Sequence, residues 1–531
     1  MKRFVWLGLV LFLVAIWTGC GDVFRPIIIP NPPAFPDPRA AHSIIAINNN
    51  NGNANQGTVL QIDVAGDTEM DVTTLGYSPV HAVQQSAAQL LVVNQASGSG
   101  STESLMKLNS SGGRLVATTI SLPSGSAPNF VATAPNATTA YVSLPGTSPP
   151  SVAVVNTTSN QVTATIPVGT DPIALAVTPD NSRLYVANNG DGTISGFNTV
   201  DQSARTPPIS LGALPGAAPL WVLARSDSQR VYVLEQDGTV ATLDTSSTAG
   251  PDTVIGTIAT GPGVSFMLYD SNLSRLYVPT SPGSGSPQLV VLDVSQSTPA
   301  LVASVPLSAS GLPASGVAVI ALPDGSRVYA ASNGPAQTTT IGTISSVSGD
   351  GTTATYTYDP ASVSGPPVLV GMSLTITGGN DRFDGTVIVT AVGSDTSTCG
   401  QSPTPCFTAA NPNSGTGGAR SATGTNFLPQ VTVINTSGNQ VKTTVSMPAI
   451  PAAGPYEPPV CSTTRFRFSM AAGGDSSHVY MATCDGGVVD LIRTSDDTYL
   501  TSLPASASAM PPVPPSTQPP PQNPVFLIAG P

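Results

Sequence analysis

Cysteines offer the clearest chemistry in this chain of 531 residues. Cys20 follows a basic start, Met1-Lys2-Arg3, an apolar run from Phe4 to Trp17, and the small pair Thr18-Gly19. A short apolar segment with a basic start and small residues before a cleavage point is typical of a secretory signal, and it is too short for a stable membrane span. The pattern therefore predicts a signal peptide over residues 1–19.

The position of Cys20 resembles the lipobox of bacterial lipoproteins, in which the thiol receives a diacylglycerol and becomes the mature N-terminus. Trp17 departs from that pattern, which prefers a smaller aliphatic residue, and plain secretion is the alternative. Residues 20–40 are rich in proline, and such segments form stiff, extended spacers. We expect a lipid at Cys20 and a tether over 20–40, which would anchor the secreted protein to a membrane in the periplasm or at the cell surface.

Four further cysteines lie in the C-terminal part of the chain, where an oxidising compartment would favour disulfides. They are Cys399, Cys406, Cys461 and Cys484. Three pairings are possible, and proximity in the sequence favours Cys399 with Cys406 and Cys461 with Cys484. Zinc is the alternative, but neither spacing is Cys-x-x-Cys and no histidine lies beside the first pair.

The remaining candidate ligands and catalytic groups form no known motif. The three histidines, His42, His81 and His478, do not share a short motif. Oxygen ligands for calcium are offered by Asn380, Asp381 and Asp384, but without the ligand number and spacing of a known loop. A nucleophile elbow, a phosphate-binding loop, a zinc-protease motif and a dinucleotide fingerprint are all missing from the sequence. We predict no catalytic residue, no cofactor and no metal site.

Composition favours many short strands and argues against nucleic acid. Charged residues make up only 9% of the chain, whereas Gly and Pro number 51 and 52, which suits strands joined by turns. The net charge is −12, and it becomes −14 once Lys2 and Arg3 leave with the signal. Because phosphate backbones demand a basic surface, we expect no nucleic acid partner.

A repeated phrase carries most of the information. Its clearest copy, residues 171–199, indicates three strands separated by the turns Pro-Asp-Asn-Ser and Asn-Gly-Asp-Gly. Tyrosines of the second strand, at 141, 185, 232, 277 and 329, follow one another in steps of 44, 47, 45 and 52, a period typical of propeller blades or solenoid turns. The repeated Asp180, Asp191, Asp237 and Asp324 fall in or before turns, where Asp bonds to backbone, so we expect no catalysis from them.

Residues 171–199 resemble the YVTN-type β-propeller repeat of bacterial and archaeal surface proteins, whose core reads Pro-Asp-Gly-x-x-Leu-Tyr-Val-Ala-Asn followed by a Gly-Thr-Val-Ser-Val strand. The resemblance extends more loosely over 42–342 and 428–503, and it implies four-stranded blades arranged radially, as in lactonase-type propellers. We therefore predict an all-β fold, a propeller of seven or eight four-stranded blades over residues 41–342 and 428–503. A β-solenoid is the structural alternative.

Two segments interrupt or complete the repeat. The second-strand tyrosine after Tyr329 is Tyr480, a step of 151, and we predict that residues 343–427 form an inserted small β-sandwich or barrel. A proline-rich linker, 504–523, precedes the apolar residues 524–531, which could supply a ring-closing strand, because a closed ring leaves only short edges. That closure would give eight blades, whereas seven would follow if the first repeat unit completes the last blade.

These features favour a non-catalytic binding or scaffolding protein at the cell envelope, with an unidentified protein or envelope polymer as partner. A lactonase-like or other metal-assisted hydrolase is the first alternative, and it would require a divalent ion in the channel. A self-assembling surface-layer component is the second alternative. The oligomeric state is left open.

Overall fold

The computed structural model describes the following residues, to which all structural statements below refer: 43–50, 55–96, 103–111, 114–205, 207–211, 218–247, 251–281, 287–307, 315–333, 336–394, 396–399, 404–451, 468–484, 486–504 and 523–530. The predicted signal peptide, Cys20, the tether, His42, Cys461 and nearly all of the linker 504–523 lie outside this part of the chain.

Blades 1 and 2 are joined by one long strand. Their consecutive strands are β1 (Ser43–Asn48), β2 (Gln56–Asp63), β3 (Thr68–Ser86), β4 (Gln89–Ala96), β5 (Ser104–Ser111) and β6 (Arg114–Ser121). The first half of β3 pairs with β2, Thr68 lying opposite Asp63, and its second half pairs with β4, Ser86 lying opposite Gln89. β3 is therefore the fourth strand of blade 1 and the first strand of blade 2.

Blades 3 to 6 each consist of four consecutive antiparallel strands. Blade 3 comprises β7 (Val131–Thr133), β8 (Thr139–Leu144), β9 (Ser151–Asn156) and β10 (Gln161–Pro167). Blade 4 comprises β11 (Pro172–Val177), β12 (Arg183–Asn188), β13 (Thr193–Asn198) and β14 (Ile209–Ser210). Blade 5 comprises β15 (Pro219–Ala224), β16 (Arg230–Glu235), β17 (Thr239–Asp244) and β18 (Thr253–Ala259). Blade 6 comprises β19 (Leu268–Asp270), β20 (Arg275–Thr280), β21 (Gln288–Asp293) and β22 (Ala300–Pro306).

The C-terminal part contains blades 7 and 8, the inserted module and a last strand. In chain order the strands are β23 (Ser315–Ala321), β24 (Arg327–Asn333), β25 (Gln337–Asp350), β26 (Thr353–Tyr358), β27 (Val363–Ser364), β28 (Ser373–Thr377), β29 (Gly385–Gly393), β30 (Cys406–Ala410), β31 (Ser414–Gly417), β32 (Arg420–Phe427), β33 (Pro429–Asn435), β34 (Gln440–Ser446), β35 (Ile450–Pro451), β36 (Phe468–Ala472), β37 (His478–Thr483), β38 (Val488–Arg493), β39 (Thr498–Pro504) and β40 (Pro524–Gly530). Two short helical turns, Pro360–Ser362 and Thr396–Cys399, lie within the module.

The strand pairing confirms the predicted all-β propeller and gives it eight four-stranded blades. Blade 7 has the order β23-β24-β33-β34, and blade 8 has the order β36-β37-β38-β39. Blade 1 is completed by β40, which pairs antiparallel with β1, Ala529 lying opposite Ile44. Most first strands contact the first strand of the next blade, so the first strands surround a central channel.

The inserted module is a closed barrel, one of the two predicted forms. Its strands pair in the order β25-β26-β30-β29-β28-β32, and β32 pairs back to β25. Buried side chains fill its interior, among them Ile344, Tyr356, Leu374 and Phe407. The first barrel strand begins at Gln337, before the expected residue 343, because Gln337 already pairs with Asn426 of β32.

The ends of the propeller differ in the connections that they carry. Because strands alternate in direction, the turns between first and second strands, such as Pro179–Ser182, lie on one face, which we call the lower face. The hairpins between second and third strands, such as 189–192, lie on the other, the upper face. The barrel joins β24 to β33 and therefore lies on the upper face.

A hydrogen-bonded aspartate shapes the lower-face turns. Asp180 accepts from the backbone N–H of Ser182 at 3.0 Å, and Asp324 accepts from that of Ser326 at 2.9 Å. The residue between them is left-handed, Asn181 with φ 57° and Gly325 with φ 70°. Asn and Gly tolerate that conformation best, so these turns are fixed by backbone needs, as the sequence predicts.

A tyrosine of one blade binds an aspartate of the next blade at three junctions. The hydroxyl of Tyr185 donates to Asp252 at 2.9 Å, and that of Tyr480 donates to Asp67 at 2.9 Å. Tyr329 donates to Asp497 in the same way. Burial, followed by the charge of the aspartate, raises the pKa of Tyr185 well above its ordinary value, so the hydroxyl remains a donor. We call this contact, with the cations beside it, the interblade latch.

Arginines complete the latch between blades 4 and 5. Arg205 Nε lies 2.9 Å from Asp252 Oδ2, and Arg183 Nη1 lies 3.4 Å from Asp252 Oδ1. The side chain of Asp252 is fully buried, so its charge is stabilised by these two cations and by Tyr185 rather than by water. The latch therefore joins the second strand of one blade to the connection between the third and fourth strands of the next blade.

Removing one latch hydroxyl should destabilise the propeller. Tyr185→Phe takes away the donor to Asp252, and a hydrogen bond to a charged acceptor contributes about 1.5–3 kcal/mol. We expect the free energy of unfolding in urea, followed by circular dichroism, to fall by about that amount. Tyr141→Phe is the matched control, because the Tyr141 hydroxyl has no partner among the described residues. Equal losses in the two variants would show that the latch contributes nothing.

Candidate functional site

One level of the channel, near the upper face, is occupied by one residue from each blade. The register of the first strands gives Phe526, His81, Ala174, Trp221, Ala318 and Ser469 for blades 1, 2, 4, 5, 7 and 8. Continuing the registers of blades 3 and 6 by one and two residues before their first strands gives Phe130 and Phe266. Five of these side chains are large rings, and the other three are small. We call the five rings the aromatic arc.

The members of the aromatic arc contact one another. His81 stacks on Phe130 with centroids 3.8 Å apart, and it lies 4.9 Å from Phe526. Phe130 and Trp221 meet edge to face at 5.4 Å although they belong to blades 3 and 5. They can do so because blade 4 places only the methyl group of Ala174 between them. Trp221 continues the arc to Phe266 at 6.0 Å.

His81 is held by its neighbours in this arc. It is 5% exposed, and its Nδ1 accepts from the backbone N–H of Val131 at 3.4 Å, an edge group of the next first strand. The ring therefore packs against phenylalanines and binds a backbone donor. The structure gives His81 a role in joining blades 2 and 3.

An apolar cavity of about 280 Å³ lies at the lower end of the channel, between the first strands of blades 6, 7, 8 and 1. Its walls include Leu268, Ile320, Met470 and Ile528. Asp270 is the one acidic residue among those lining it. Oδ1 of Asp270 accepts from the backbone N–H groups of the residues two and three positions on, at 2.9 and 3.2 Å.

Two buried acids have strongly raised pKa values. Burial, and then the charge of Asp237, raises the pKa of Glu235 to about 7. Burial raises the pKa of Asp490 to about 7, although the hydrogen bond that it accepts from Ser502 at 2.5 Å lowers this pKa. Such shifts are frequent at catalytic sites. Asp490, however, is 1% exposed on the third strand of blade 8, two strands away from the channel, and we assign it to the packing between blades.

The cysteines expected to pair are only partly within the described residues. Cys399 and Cys406 form a disulfide with Cα atoms 5.6 Å apart, which closes the loop before barrel strand β30. Cys484 is fully buried in the core between blades, whereas Cys461 lies outside the described residues. The pairing of Cys461 with Cys484 stays a prediction, as does the lipid on Cys20.

The oxygen ligands considered for calcium bind a guanidinium group instead. Arg420 Nη2 lies 2.9 Å from Asp381 Oδ2, and Arg420 Nη1 lies 3.1 Å from Asp384 Oδ1. The Arg420 side chain is completely buried, and its charge balances the loop over one end of the barrel. His478, in the last blade, lies with its Nε2 3.4 Å from Asp67 Oδ2 in the first blade.

The described part of the chain shows neither a cluster of metal ligands nor a helix that could span a membrane. There, His, Cys, Asp and Glu side chains form no group of three or more that could hold a metal ion. None of the helices found there has the length and apolarity of a membrane span.

Two features of this region, the aromatic arc and the cations of the interblade latch, are not among the predictions made from the sequence. The five residues of the aromatic arc come from five different blades and have no fixed spacing in the sequence. Only the register of the paired strands places them side by side. The latch arginines Arg183 and Arg327 have a local signal, because each stands two residues before a repeat tyrosine. The residue two positions before the repeat tyrosine therefore carries the sequence signal for these cations.

Comparison with known proteins finds likeness only among solved structures. No protein-family model and no curated protein matches the chain. A candidate 6-phosphogluconolactonase from Bacteroides fragilis is 12% identical, with a TM-score of 0.44, over 83% of this chain and 97% of that one. A protein of unknown function from Desulfotomaculum acetoxidans is 14% identical, with a TM-score of 0.44, over 55% of this chain and 89% of that one. Likeness at this level carries no argument about activity, and the propeller rests on the strand pairing above.

The raised pKa of Asp490 predicts a pH-dependent stability. A carboxyl whose pKa is raised on folding contributes stability that is present at low pH and is lost as the pH rises through its folded-state pKa of about 7. Asp490→Asn removes that loss, so the variant should be more stable than the natural protein near pH 8, by about 2–4 kcal/mol, and equal to it near pH 4.

Urea unfolding across this pH range checks the expectation. Glu235 contributes a slope over the same range, so the variant should retain part of the pH dependence. The exposed Asp201 has a pKa lowered by its bonds to Ser203, so Asp201→Asn, the matched control, should gain nothing near pH 8. A constant difference between Asp490→Asn and the natural protein at all pH values would refute the assignment.

Proposed function

We propose that this chain is a lipid-anchored, non-catalytic binding or scaffolding protein of the cell envelope, and that its protein or polymer partner docks on the upper face, where the barrel lies. The signal sequence, the lipobox-like Cys20 and the proline-rich tether support the location. The propeller supplies a rigid ring that presents many loops.

The observation that carries the proposal is the way in which the barrel is fixed. The β24–β33 hairpin, with Asn333 opposite Pro429, runs on into the β25–β32 pair, with Gln337 opposite Asn426. On the other side, β35, which follows the last strand of blade 7, pairs with β32, Phe427 lying opposite Ile450. A module held at two places offers a surface in a fixed orientation beside the upper-face hairpins.

The outer surface of the barrel suits hydrogen bonding to an uncharged, hydroxyl-rich partner. Threonine hydroxyls pair across neighbouring strands, as in Thr338 with Thr425 at 2.8 Å and Thr390 with Thr408 at 2.9 Å. Thr340 and Thr423 form a further pair at 3.3 Å, two residue pairs along from the first and on the same side of the strands. Each pair uses one of its two hydroxyl protons, which leaves a donor and several acceptors for a ligand.

The content of the channel favours binding over catalysis. At the level of the aromatic arc, rings in mutual contact occupy the axis-facing positions of five blades. The apolar cavity below contains a single described acid, Asp270. General acid or base chemistry needs a side chain within hydrogen-bond reach of the reacting group, and Oδ1 of Asp270 already accepts from two backbone N–H groups of its own turn.

Excising the barrel should abolish partner binding and leave the ring folded. Because Asn333 lies opposite Pro429, the sequence Asn-Gly can join these two residues in a two-residue hairpin turn. We expect the natural protein to bind saturably to isolated envelope material in a sedimentation assay, and the excised variant to lose that binding while it keeps its far-ultraviolet circular dichroism per residue.

Leu273→Lys is the matched control, because Leu273 is 36% exposed in a lower-face turn of blade 6. It should bind as the natural protein does. Envelope material treated with protease separates a polymer partner, which survives treatment, from a protein partner. Undiminished binding by the excised variant, or rapid lactone hydrolysis by the purified protein, would contradict the proposal.

Lipid attachment is tested separately. In a bacterium fed radiolabelled fatty acid, the natural protein should carry label and stay with the membrane, whereas Cys20→Ala should carry none and be released. Thr18→Ala, which keeps a small residue before the cleavage point, should still be labelled. Label that persists in Cys20→Ala would rule out Cys20 as the lipid site.

A further inference from the structure

At five junctions, a cationic side chain of one blade donates to a backbone carbonyl of the next blade, and the five carbonyls occupy equivalent positions. The acceptor is the first residue after the third strand, and the donor is a Lys or Arg side chain of the preceding blade. The pairs are Lys107 with Thr157 at 2.7 Å, Arg183 with Thr245, Arg225 with Val294 at 3.1 Å, Arg275 with Thr436 at 2.8 Å, and Arg327 with Thr494 at 2.5 Å.

The junction between blades 3 and 4 has the acceptor but not the cation. Thr199 follows the third strand of blade 4, and its carbonyl accepts no hydrogen bond from a described residue. The position two before Tyr141, where Arg183 stands before Tyr185, is Thr139. The short Thr139 side chain cannot span the distance to the next blade that an arginine spans.

A cavity of about 350 Å³ lies at this junction, which we call the blade 3–4 cavity. Its walls include Asn136, Thr139, Tyr141, Asn181, Thr199 and Gln202, and no charged side chain is found among its described lining residues. The space that a latch arginine fills at other junctions is therefore open here.

The walls of the blade 3–4 cavity suit a cation with several N–H groups. Asn181 Oδ1 is buried and has no partner among the described residues, and the Thr199 carbonyl offers a second acceptor. A buried acceptor left without a donor costs free energy that a ligand donor would recover. The net charge of −12 attracts cations to the protein.

We propose that the blade 3–4 cavity binds a guanidinium-bearing ligand, which donates to the Thr199 carbonyl and Asn181 Oδ1 and occupies the place that an arginine side chain takes at four other junctions. A planar guanidinium offers five donors in a fixed fork and so can reach both acceptors at once. This site lies on the lower face and is independent of partner binding on the upper face.

Isothermal titration of the purified chain with propylguanidinium, an arginine side chain without its backbone, tests the proposal. We expect saturable binding of one molecule per chain, and binding of the neutral, similarly shaped propylurea that is weaker by about tenfold or more. Thr139→Arg rebuilds the missing latch arginine, so it should fill the cavity, abolish propylguanidinium binding and raise the melting temperature.

Two further variants keep the test decisive if Thr139→Arg does not fold. Asn181→Gly suits the left-handed backbone at φ 57° and removes one acceptor, so it should weaken binding. Gln161→Arg adds the same charge to an exposed strand position of blade 3 and should bind as the natural chain does. Absence of binding to the natural chain, equal binding of propylurea, or full binding by Thr139→Arg would each overturn the proposal.

Discussion

Ring closure is the constraint on which the rest of the structure depends. Every blade buries both faces against neighbours, so an open ring would expose two apolar faces at once. At the junction of the last and first blades, Ile44, Ala46 and Leu60 of blade 1 pack with Tyr480 and Leu491 of blade 8, and all five are fully buried. Exposing a cluster of this size would cost on the order of 10 kcal/mol, comparable with the whole stability of a typical domain.

The chain meets this constraint by building blade 1 from both of its ends. Val525 and Leu527 of β40 are each 3% exposed, and β40 contributes hydrogen bonds along the whole length of β1. Ser469 of blade 8 also accepts from the backbone N–H of Leu527 at 2.9 Å. The last strand is thus held by blade 1 through its backbone and by blade 8 through a side chain.

The polar contacts between neighbouring blades differ in chemistry from one junction to another. Between blades 4 and 5, a buried aspartate is neutralised by two arginines, whereas at the closing junction His478 stands in the position of the arginine beside Asp67. Between blades 3 and 4 the cation is missing and a cavity takes its place. Because the apolar faces supply most of the stability, individual latches can vary, and variation of this kind is what allows a repeat protein to acquire sites.

Local features of the fold could be predicted from the sequence, and non-local ones could not. The three strands predicted within residues 171–199 form at Pro172–Val177, Arg183–Asn188 and Thr193–Asn198, because apolar alternation and turn residues are local signals. The number of blades stayed open between seven and eight, since it depends on whether residues at opposite ends of the chain pair. The aromatic arc was missed for the same reason, because Phe526 and His81 meet only in the closed ring.

The aspartates show why the repeat is easy to recognise in the sequence while the contacts between its blades are not. Asp180 and Asp324 accept hydrogen bonds from backbone N–H groups two residues further on, so their role follows from the local sequence. Asp252 and Asp497 have the same side chain, but they bind tyrosines of the preceding blade. Nothing in the residues next to them distinguishes a turn aspartate from a latch aspartate.

The most direct test of this account is the stability of a chain that ends at Gln522 and so lacks β40. We predict that its melting temperature falls by on the order of 10 °C or more, and that a synthetic peptide of residues 523–531, added in trans, restores it while a scrambled peptide does not. A truncated chain that melts at the natural temperature and does not bind the peptide would contradict closure by β40.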